Sequence, residues 1–572
     1  MSKPITLLEL DLGSVQAFWV NSAAFMWLVN FDGLYPLHDA WMLVGAPGPQ
    51  AVTRVGSVRR DGIELSLVAN AAACQAAEET YYYNAATKDL YIHLIDGDEP
   101  AIHGLSIGIV YGFVLSPDRE PVDYEGFHYE PRLLSVPKVS RSKDPLFFGR
   151  IQMEGGMAEV ANADGKLDRL AEDYDVFGNP ARVLAGYLGD AYAGLARRYT
   201  GFVRTITVGR DKLGVDIRDK REALGRELPT RIFSADISPI KEGNEGKPIP
   251  LAWGPILNAP VVCTNEAEAP APGAYIFQLA DCTDHPYGID AITEIRVEGV
   301  VVAPVSTDLL LGTFTLDPAD YSPGDEVRAD FTGFTDAGSN PIQNAADVIK
   351  DILITYFPIY YTADFFDTAE WAIATAAAKN IGLLVADRRQ AIEIIEDICA
   401  SILGYFLVLD DGRYTLRIFD ASRPISQTIP KEEQFNDLSV KYNPEEVLTS
   451  LRVGYARDWG EEEFRWYSYT EREEELFVKY KLLQEKSFET LLTTAVDAAW
   501  VAGQIMLLSD APGRYYSLAT IRDALDRKIG DFIKEEINRP LKTMLGWAKA
   551  EVVGIKETDN GAEIDTRILS YY

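Results

Sequence analysis

The chain has 572 residues, and its 54 Lys and Arg against 87 Asp and Glu give a formal net charge of −33 at pH 7. An acid excess of this size argues against a protein that grips nucleic acid or an anionic membrane, because those partners require a basic surface. It does not exclude a surface past which DNA slides. Hydrophobic residues make up 47% and charged residues 25%, values ordinary for globular domains, of which the length predicts roughly four.

The four cysteines, Cys74, Cys263, Cys282 and Cys399, lie far apart, without a CxxC pair or a dense disulfide framework. This usage is typical of a protein made in a reducing cytoplasm. Cys399 falls on the apolar face of a predicted helix and is interpreted as a core residue. Cys263 and Cys282 with His285 would leave a zinc site one ligand short, so we expect no metal and no cofactor.

No targeting or membrane-spanning segment is expected. The apolar stretch at residues 17–31 is interrupted by Asn21, Ser22 and Asn30, and it follows Glu9. A signal peptide needs a basic start, and a spanning helix needs about 20 consecutive apolar residues. Neither condition is met.

The first half of the chain predicts mainly β structure. Residues 90–95 and 107–111 are rich in β-branched and aromatic side chains, as strands are. Residues 118–144 combine many prolines and charges with little periodicity, and this predicts a linker. Further β features are predicted as follows: strands at 149–153, 202–208 and 213–218, a turn at 162–165, and a hairpin around Gly299 within the Pro- and Gly-rich region 236–340.

The middle of the chain changes to helical periodicity. Apolar side chains recur every three or four residues over positions 345–356, which indicates a helix. Asn344 can cap this helix and Pro358 ends it. A second helix is predicted to begin at Asp367, with Glu370 in capping-box spacing.

A third helix is predicted to begin at Asp387, with Gln390 three residues later, and to end at Gly404. Its apolar face comprises Ala391, Ile394, Ile395, Ile398, Cys399 and Ile402. The helices and the strands that follow predict a small α/β unit.

Two strands follow at residues 405–409 and 414–419, with an Asp-Gly signal for a type I′ turn between them. Farther on, strands are predicted over residues 439–455 and one helix over residues 496–508. Strands close the chain.

One short pattern occurs twice. Gly201-Phe202-Val203-Arg204, with Gly209 eight residues on, is echoed by Gly546-Trp547-Ala548-Lys549, with Gly554 at the same offset. Two copies are too few for a solenoid. The hypothesis is that they mark two related β-barrels, one early and one at the C-terminus.

Ser106 lies in the sequence Gly104-Leu105-Ser106-Ile107-Gly108, which matches the G-x-S-x-G motif, and His103 lies beside it. A nucleophile elbow requires a helix directly after the serine, whereas strand sequence follows here. Ser106 is therefore interpreted as a strand residue.

Asn162 to Asp168 resembles part of a calcium loop, but its ligand set is short and turn chemistry explains it.

An acidic run at residues 461–475 predicts a solvated loop with interleaved aromatic residues. These are Trp459, Phe464, Trp466, Tyr467 and Tyr469. Because aromatic residues are enriched in interface cores, the five form the candidate partner interface. Packing within the protein's own core is the alternative.

Several stretches follow one another in a characteristic order from about residue 145 to the end. They are Phe148-Gly149-Arg150-Ile151, Asn162-Ala163-Asp164-Gly165-Lys166-Leu167-Asp168, Gly201-Phe202-Val203, Asp216-Ile217-Arg218-Asp219, Gly246-Lys247-Pro248-Ile249-Pro250-Leu251-Ala252-Trp253-Gly254, the helical unit from Asn344, Lys528-Ile529-Gly530-Asp531 and Val552-Val553-Gly554-Ile555. In this order the chain resembles the baseplate or tail-tip hub proteins of long-tailed bacteriophages.

The resemblance implies a trimeric ring whose subunits each contribute two small β-barrels, so that three subunits offer six contacts to a sixfold tail tube. It implies an adaptor between a distal tail or tail tube protein and a central fibre or spike, with the tape measure protein inside and DNA passing without specific binding. It also implies a virion protein of the tail tip, assembled in the host cytoplasm. Some members carry a lysozyme or peptidase domain, for which this chain has no spare segment, so we expect no enzyme.

The predicted fold class is α+β, mostly β, with two small β-barrels, further β domains and one small α/β domain. The expected domains are an N-terminal β domain, a first hub barrel, a β-rich domain, an α/β domain and a second hub barrel with one helix, at residues 1–145, 146–235, 236–340, 341–435 and 436–572.

The alternative function is a host-surface glycan-binding or glycan-cleaving tail protein. Oligomeric size and a glycan hydrolysis assay separate the two hypotheses. For the hub, we further expect the acid excess to give the channel a net-negative wall that does not retain DNA phosphates.

Overall fold

The computed structural model describes most of the chain, and all structural statements below concern these residues: 4–15, 20–23, 26–30, 52–60, 63–64, 66–67, 80–84, 89–93, 105–115, 120–124, 127–137, 140–143, 148–154, 156–168, 170, 176–234, 240–266, 275–358, 361, 365–429, 439–520, 528–538, 545–558 and 561–571. The chain forms two compact units. The first comprises Met1–Ser140, Met153–Lys220 and Leu409–Gly412, and the second comprises Arg141–Gln152, Arg221–Val408 and Arg413–Tyr572.

The protein is mostly β, as predicted. The strands before residue 220 are β1 (Pro4–Val15), β2 (Val20–Ala23), β3 (Met26–Asn30), β4 (Val52–Arg60), β5 (Ile63–Glu64), β6 (Ser66–Leu67), β7 (Thr80–Asn84), β8 (Asp89–His93), β9 (Leu105–Leu115), β10 (Val122–Tyr124), β11 (Phe127–Tyr129), β12 (Leu133–Ser135), β13 (Ser140–Lys143), β14 (Ile151–Glu154), β15 (Gly156–Ala161), β16 (Pro180–Tyr187), β17 (Ala196–Val208) and β18 (Lys212–Arg218).

The later strands are β19 (Glu227–Leu228), β20 (Leu251–Trp253), β21 (Pro255–Pro260), β22 (Val262–Cys263), β23 (Tyr275–Gln278), β24 (Ile289–Val297), β25 (Val300–Val302), β26 (Ser306–Asp308), β27 (Thr313–Leu316), β28 (Val327–Phe334), β29 (Leu383–Val385), β30 (Arg389–Gln390), β31 (Gly404–Val408), β32 (Tyr414–Ile418), β33 (Gln427–Ile429), β34 (Ser439–Asn443), β35 (Ser450–Asp458), β36 (Glu463–Tyr469), β37 (Glu485–Glu489), β38 (Gly513–Thr520), β39 (Phe532–Asn538), β40 (Leu545–Thr558) and β41 (Gly561–Tyr571). The helices are α1 (Ala345–Tyr356), α2 (Thr368–Ala377), α3 (Ala391–Ser401), α4 (Glu473–Tyr480) and α5 (Ala495–Ser509).

The first unit is built on a nine-stranded sheet in the order β12-β15-β18-β17-β16-β1-β9-β4-β5. This sheet crosses the boundary expected at residue 145, because β1 and β9 pair in the same sheet as β15 to β18. Alternate residues point inward, and Leu7, Val114 and Leu184 form part of its core. A five-stranded sheet in the order β2-β3-β8-β7-β6 accompanies it.

The nine-stranded sheet curls back on itself at Glu130. The Val114 amide donates to the Glu130 carbonyl at 2.7 Å, and the Glu130 amide donates to the Gly112 carbonyl at 3.1 Å. Glu130 directly precedes the segment leading to β12, so these bonds join the β12 side of the sheet to β9. Strands β9, β1, β16, β17, β18, β15 and β12 thus form a nearly closed barrel, which satisfies backbone groups that an open edge would leave unpaired.

The second unit contains three larger sheets. The eight-stranded sheet runs β14-β13-β40-β41-β38-β34, with β39 joining β40 to β33. The seven-stranded sheet runs β25-β24-β28-β21-β35-β36, with β37 beside β35, and the four-stranded sheet runs β22-β23-β27-β26. Helices α2 and α3 pack near the β31–β32 hairpin, and α5 lies against β35 and β36. Nowhere in the part of the chain that the structure describes does a helix have the length and apolarity needed to cross a membrane.

The helix predictions are confirmed for α1 and α2. The Asn344 side chain accepts a hydrogen bond from the Ala346 amide, and the Asp367 side chain accepts one from the Glu370 amide. The whole predicted stripe of α1 is buried. The predicted helix near the C-terminus is α5, whose N-cap is Thr494.

The predicted bounds of the third helix are wrong, although its buried face is as expected. Helix α3 begins after Gln390, because Arg389 and Gln390 form β30 with β19. It ends before Leu403, which itself adopts the left-handed conformation with φ of 56°, and Gly404 already belongs to β31.

The type I′ turn predicted between β31 and β32 is also wrong. Such a turn requires positive φ at two adjacent residues, and between these strands only Gly412 has it. Two adjacent residues with positive φ occur instead at Glu298 and Gly299, whose φ angles are 49° and 77°. They join β24 to β25 in the predicted hairpin.

Two segments expected to be irregular are ordered into regular elements. The predicted linker at residues 118–144 contains β10 to β13. The predicted acidic loop at residues 461–475 contains β36 and the first turn of α4. In both, pairing or packing with distant residues compensates for weak local periodicity.

The two blocks of the predicted repeat each lie in the first strand of an antiparallel hairpin, β17–β18 and β40–β41. Their second glycines differ in position. Gly209 lies beyond the end of β17, whereas Gly554 lies inside β40 at a bulge. The shared glycine spacing therefore does not mark equivalent places.

A buried ion pair holds the C-terminal sheet to α5. Arg567 and Glu446 lie 2.9 Å apart, with side chains 2% and 1% exposed. The Tyr515 hydroxyl donates to both carboxylate oxygens of Glu446, at 2.7 and 2.8 Å, and Asn443 donates to it at 2.8 Å. Arg567 also donates to the Leu508 carbonyl. These contacts join β41, β38 and the end of α5.

Arg567→Met should reduce the free energy of unfolding of this region by about 3–5 kcal/mol, because the Glu446 carboxylate would stay buried without its cation. Urea unfolding and hydrogen exchange of β38 and β41 measure the change. Adding Glu446→Leu should recover part of the loss. Glu159→Gln, which breaks the exposed pair with Lys212, is the control and should cost under about 1 kcal/mol. Equal losses in both single variants would contradict the prediction.

Candidate interaction surface

The five predicted interface aromatics lie on or beside the β35–β36 hairpin of the second unit. In its register Gly454 is opposite Trp466, and Val453 is opposite Tyr467. Because side chains alternate between the two faces of a strand, Phe464 and Trp466 occupy one face of β36, whereas Tyr467 and Tyr469 occupy the other.

The structure therefore divides the predicted set. Tyr467 and Tyr469 share their face with Leu451 and Val453, which are 2% and 0% exposed. This is the face that packs inward. Desolvation and the nearby Glu471 raise the pKa of Tyr469. These two tyrosines thus belong to the side that supports the hairpin.

The opposite face alternates arginines with aromatic rings. The Arg452 guanidinium lies 4.7 Å from the centre of the Trp466 ring, and Phe464 lies 5.9 Å from Trp466. The Arg457 guanidinium lies 4.4 Å from the Trp459 ring and 5.5 Å from the Phe464 ring. We call these five residues the cation–aromatic face. All are half-buried, so each keeps part of its surface available for contact.

Gly454 makes this arrangement fit. A Cβ at this position would lie 3.1 Å from three side-chain carbons of Phe464, closer than ordinary packing allows. The absence of a side chain lets Phe464 lie across β35, between the rings and guanidinium groups of the face.

The loop that carries Trp459 is held by Asp458. One carboxylate oxygen of Asp458 accepts from the amides of Gly460 and Glu461, at 3.0 and 2.9 Å, and from the Asn258 side chain at 2.8 Å. The Trp459 amide donates to the Leu257 carbonyl at 3.0 Å. These bonds fix Trp459 relative to β21.

The sequence prediction included Trp459, Phe464 and Trp466, and the structure places Arg452 and Arg457 against them. The role of this set as a partner interface stays a prediction. Tryptophan, tyrosine and arginine are the residue types most enriched where binding energy concentrates in interfaces. The signal for the two arginines is their position on β35, which becomes informative once its register with β36 is known.

The partial metal cluster is not formed. The Cys263 thiol contacts the Asn265 side chain at 3.4 Å, and the Cys282 sulfur lies beside Gly312. His285 instead meets the Asp351 carboxylate through Nε2 at 2.9 Å and stacks on Phe334. Within the described ranges, no three His, Cys, Asp or Glu side chains are grouped to hold a metal ion. Burial raises the pKa of Cys263 to about 11, so its thiol is protonated at neutral pH.

The structure also places the two other motifs. Ser106 lies in β9, an eleven-residue strand paired with β1 and β4, so the strand interpretation is confirmed and the elbow geometry is absent at this serine.

The loop at Asn162 is a turn in which Asn162 donates to Asp168 at 2.6 Å. Arg132 binds Asp164 through two nitrogens, and its hydrogen bonds lower the pKa of Asp164 to about 2.

A cavity of about 430 Å³ opens beside the Glu446–Arg567 pair, with Lys441, Tyr515 and Asp565 in its wall. A general acid or base needs a carboxyl group that can exchange a proton with substrate. Glu446 is instead neutralised by Arg567 and saturated by hydrogen bonds. The buried carboxylate in the cavity wall, Glu446, is therefore not free to exchange a proton with a substrate.

Comparison with known proteins matches no family model and no curated protein. Among solved structures, the chain is similar to a tail protein from Neisseria meningitidis MC58, with 8% identity and a TM-score of 0.36, over 78% of this chain and 94% of that one. It is also similar to the 43 kDa tail protein of prophage MuSo2 from Shewanella oneidensis, with 9% identity and a TM-score of 0.34, over 78% and 97%.

A third similar chain comes from the virion of a native gene transfer agent particle, with 10% identity and a TM-score of 0.40, over 57% of this chain and 85% of that one. Because each of these TM-scores is below 0.5, the similarities do not assign the chain to a family.

Gly454→Ala should destabilise the second unit by about 1–3 kcal/mol, because the added methyl group must displace Phe464 from the cation–aromatic face. Thermal unfolding and tryptophan fluorescence measure the effect. Gly503→Ala is the matched control: Gly503 lies in α5 with open space where its Cβ would be, and helix propensity predicts a gain of roughly 0.5–1 kcal/mol. A neutral Gly454→Ala would show that the face is not closely packed.

Proposed function

We propose that this chain is a structural protein of a phage-type tail, acting as a trimeric tail-tip or baseplate hub. The observation that carries the proposal is the nearly closed barrel of the first unit, sealed at Glu130. It contains the hairpin β17–β18, in the segment where the resemblance to hub proteins implies the first barrel. The eight-stranded sheet of the second unit contains β40 and β41, where the second is implied.

The trimer is proposed from the resemblance to hub proteins, which implies a trimeric ring. Three subunits that each present two barrel-like sheets would offer six similar contacts to a sixfold tube. The proposed neighbours are a distal tail or tail tube protein on one side and a central fibre or spike on the other, with the tape measure protein inside. The proposed location is the tail tip of the virion, after assembly in the host cytoplasm.

The proposal includes a DNA channel that does not bind DNA specifically. With three chains, the formal charge of −33 per chain would surround the channel with excess carboxylate. A net-negative wall repels phosphate at short range, and salt screens this repulsion beyond about 10 Å. DNA would then pass without the counterion release that produces tight binding.

A non-catalytic role is part of the proposal. It is supported by the position of Ser106 within a strand and by the neutralisation of Glu446. Half-buried aromatic and arginine side chains on the cation–aromatic face suit a protein that works through contact with other subunits.

Light scattering after size-exclusion chromatography should give a mass near 190 kDa, three times the 63.4 kDa chain, and negative-stain images should show threefold rings. Incubation with cell-wall and capsule glycans should release no reducing ends. A monomer over the whole concentration range would contradict the hub, and hydrolysis that disappears in Ser106→Ala would contradict the structural role.

A further inference from the structure

A row of aliphatic side chains lies uncovered in the β-rich part of the second unit. Within twelve consecutive residues, five are between 60% and 65% exposed: Val300, Val301, Val305, Leu310 and Leu311. We call these five residues the aliphatic strip. Single exposed aliphatic residues are common on soluble proteins, but five large exposed ones so close together in the chain are typical of an interaction site.

The strip is extended because both of its ends are tied to β24. Val300 pairs with Val297 at one end of that strand, and the Ile289 amide donates to the Leu309 carbonyl at the other end, at 2.9 Å. Between these ends the chain pairs with β24 at residues 300–302, and residues 306–308 form β26, which pairs with β27 of the four-stranded sheet. This fixed backbone positions the aliphatic side chains before any partner arrives.

Strand β25 also has a free edge. It is the terminal strand of its sheet, and in the described part of the chain only β24 pairs with it. Val300 adjoins the two-residue turn and exchanges hydrogen bonds with Val297. The next pair, Val301 with Arg296, is then of the non-hydrogen-bonded kind, so the backbone N–H and C=O of Val301 point away from β24. They are available to an added strand.

The surroundings of the strip are acidic. Between Asp281 and Asp330 there are eleven acidic and only two basic side chains. Both arginines are already paired: Arg296 with Glu294 and Asp330, and Arg328 with Glu326 and Glu461. The other carboxylates beside the strip, including the exposed Glu298 and Asp308, give this region a net negative charge. That charge attracts a basic partner.

We infer that the aliphatic strip binds an extended segment of another protein, one with alternating aliphatic residues between Lys or Arg flanks. Such a segment would add a strand to the edge of β25, insert its aliphatic side chains among those of the strip, and neutralise the acidic rim. A second copy of this chain is the poorer occupant, because symmetric pairing of two β25 edges would bring like-charged carboxylates together. The inference does not depend on the proposed tail-tip role.

The test uses fluorescently labelled peptides and the full chain. The probe is an eleven-residue peptide in which alternating valine and threonine are flanked by two lysines at each end. One comparison peptide has glutamate flanks, and another keeps the lysines but replaces each valine by serine. We expect the probe to bind at least about tenfold more tightly than either comparison peptide, and to weaken as salt is raised.

The double variant Val301→Lys with Leu310→Lys should reduce probe affinity at least about tenfold, because it places like charge and a polar side chain in the strip. Val496→Lys is the matched control, since Val496 is 79% exposed on α5, outside the strip, and it should bind the probe as the unmodified chain does. Urea midpoints check that all variants remain folded. Hydrogen exchange at residues 300–303 should slow when the probe binds.

Three results would overturn the inference. Equal binding of the serine peptide would show attraction by charge alone, and unchanged binding by the double variant would place the peptide elsewhere. If the double variant Val301→Lys with Leu310→Lys has a lower molecular mass in solution than the unmodified chain, both without peptide, then the strip joins copies of this chain. If the strip binds the probe but the unmodified chain is a monomer, the hub proposal fails and this inference stands.

Discussion

Backbone pairing at the sheet edges is the constraint on which the architecture depends. A chain that is mostly β exposes rows of N–H and C=O groups wherever a sheet ends, and these groups must be paired, covered or left for a partner. In the first unit, two hydrogen bonds at Glu130 bring the sheet back to β9 and complete a barrel. Arg132 supports this closure, because it binds both Glu130 and Asp164. In the second unit, β25 keeps its outer edge open beside the exposed aliphatic residues.

Buried charge is the second organising feature of the second unit. Glu446 with Arg567, Glu551 with Lys143, and Asp531 with Arg417 are pairs whose side chains are at most 13% exposed. Each joins elements distant in sequence, and Lys143 also donates to the Tyr405 hydroxyl at 2.7 Å. Desolvation makes such pairs costly unless their geometry and further hydrogen bonds compensate. They consequently determine which surfaces meet.

The two features proposed to bind other proteins are preformed surfaces of the second unit. The cation–aromatic face is rigid, since Gly454 admits Phe464 and Asp458 holds the loop of Trp459. The aliphatic strip is equally fixed, since β24 holds both of its ends. Preformed surfaces lose little conformational entropy when they bind. Two such surfaces in one unit suit a protein that connects other proteins. This is the role proposed for the chain at the tail tip.

Local signals in the sequence determined the mostly β class, the helices α1 and α2 with their caps at Asn344 and Asp367, and the hairpin at Gly299. Periodicity and capping act within about one helical turn or one strand pair, so the sequence displays them directly. Tertiary structure alone decided the start of α3, where β19 pairs with Gln390, and the strands within residues 118–144. It also decided the barrel closure at Glu130 and the division of the aromatics between the two faces of β36. The start of α3 and the placement of β12 and β13 depend on pairing between residues far apart in the chain, which has no local signature. The two faces of β36 became clear from its register with β35, in a segment whose acidic residues hid its strand character.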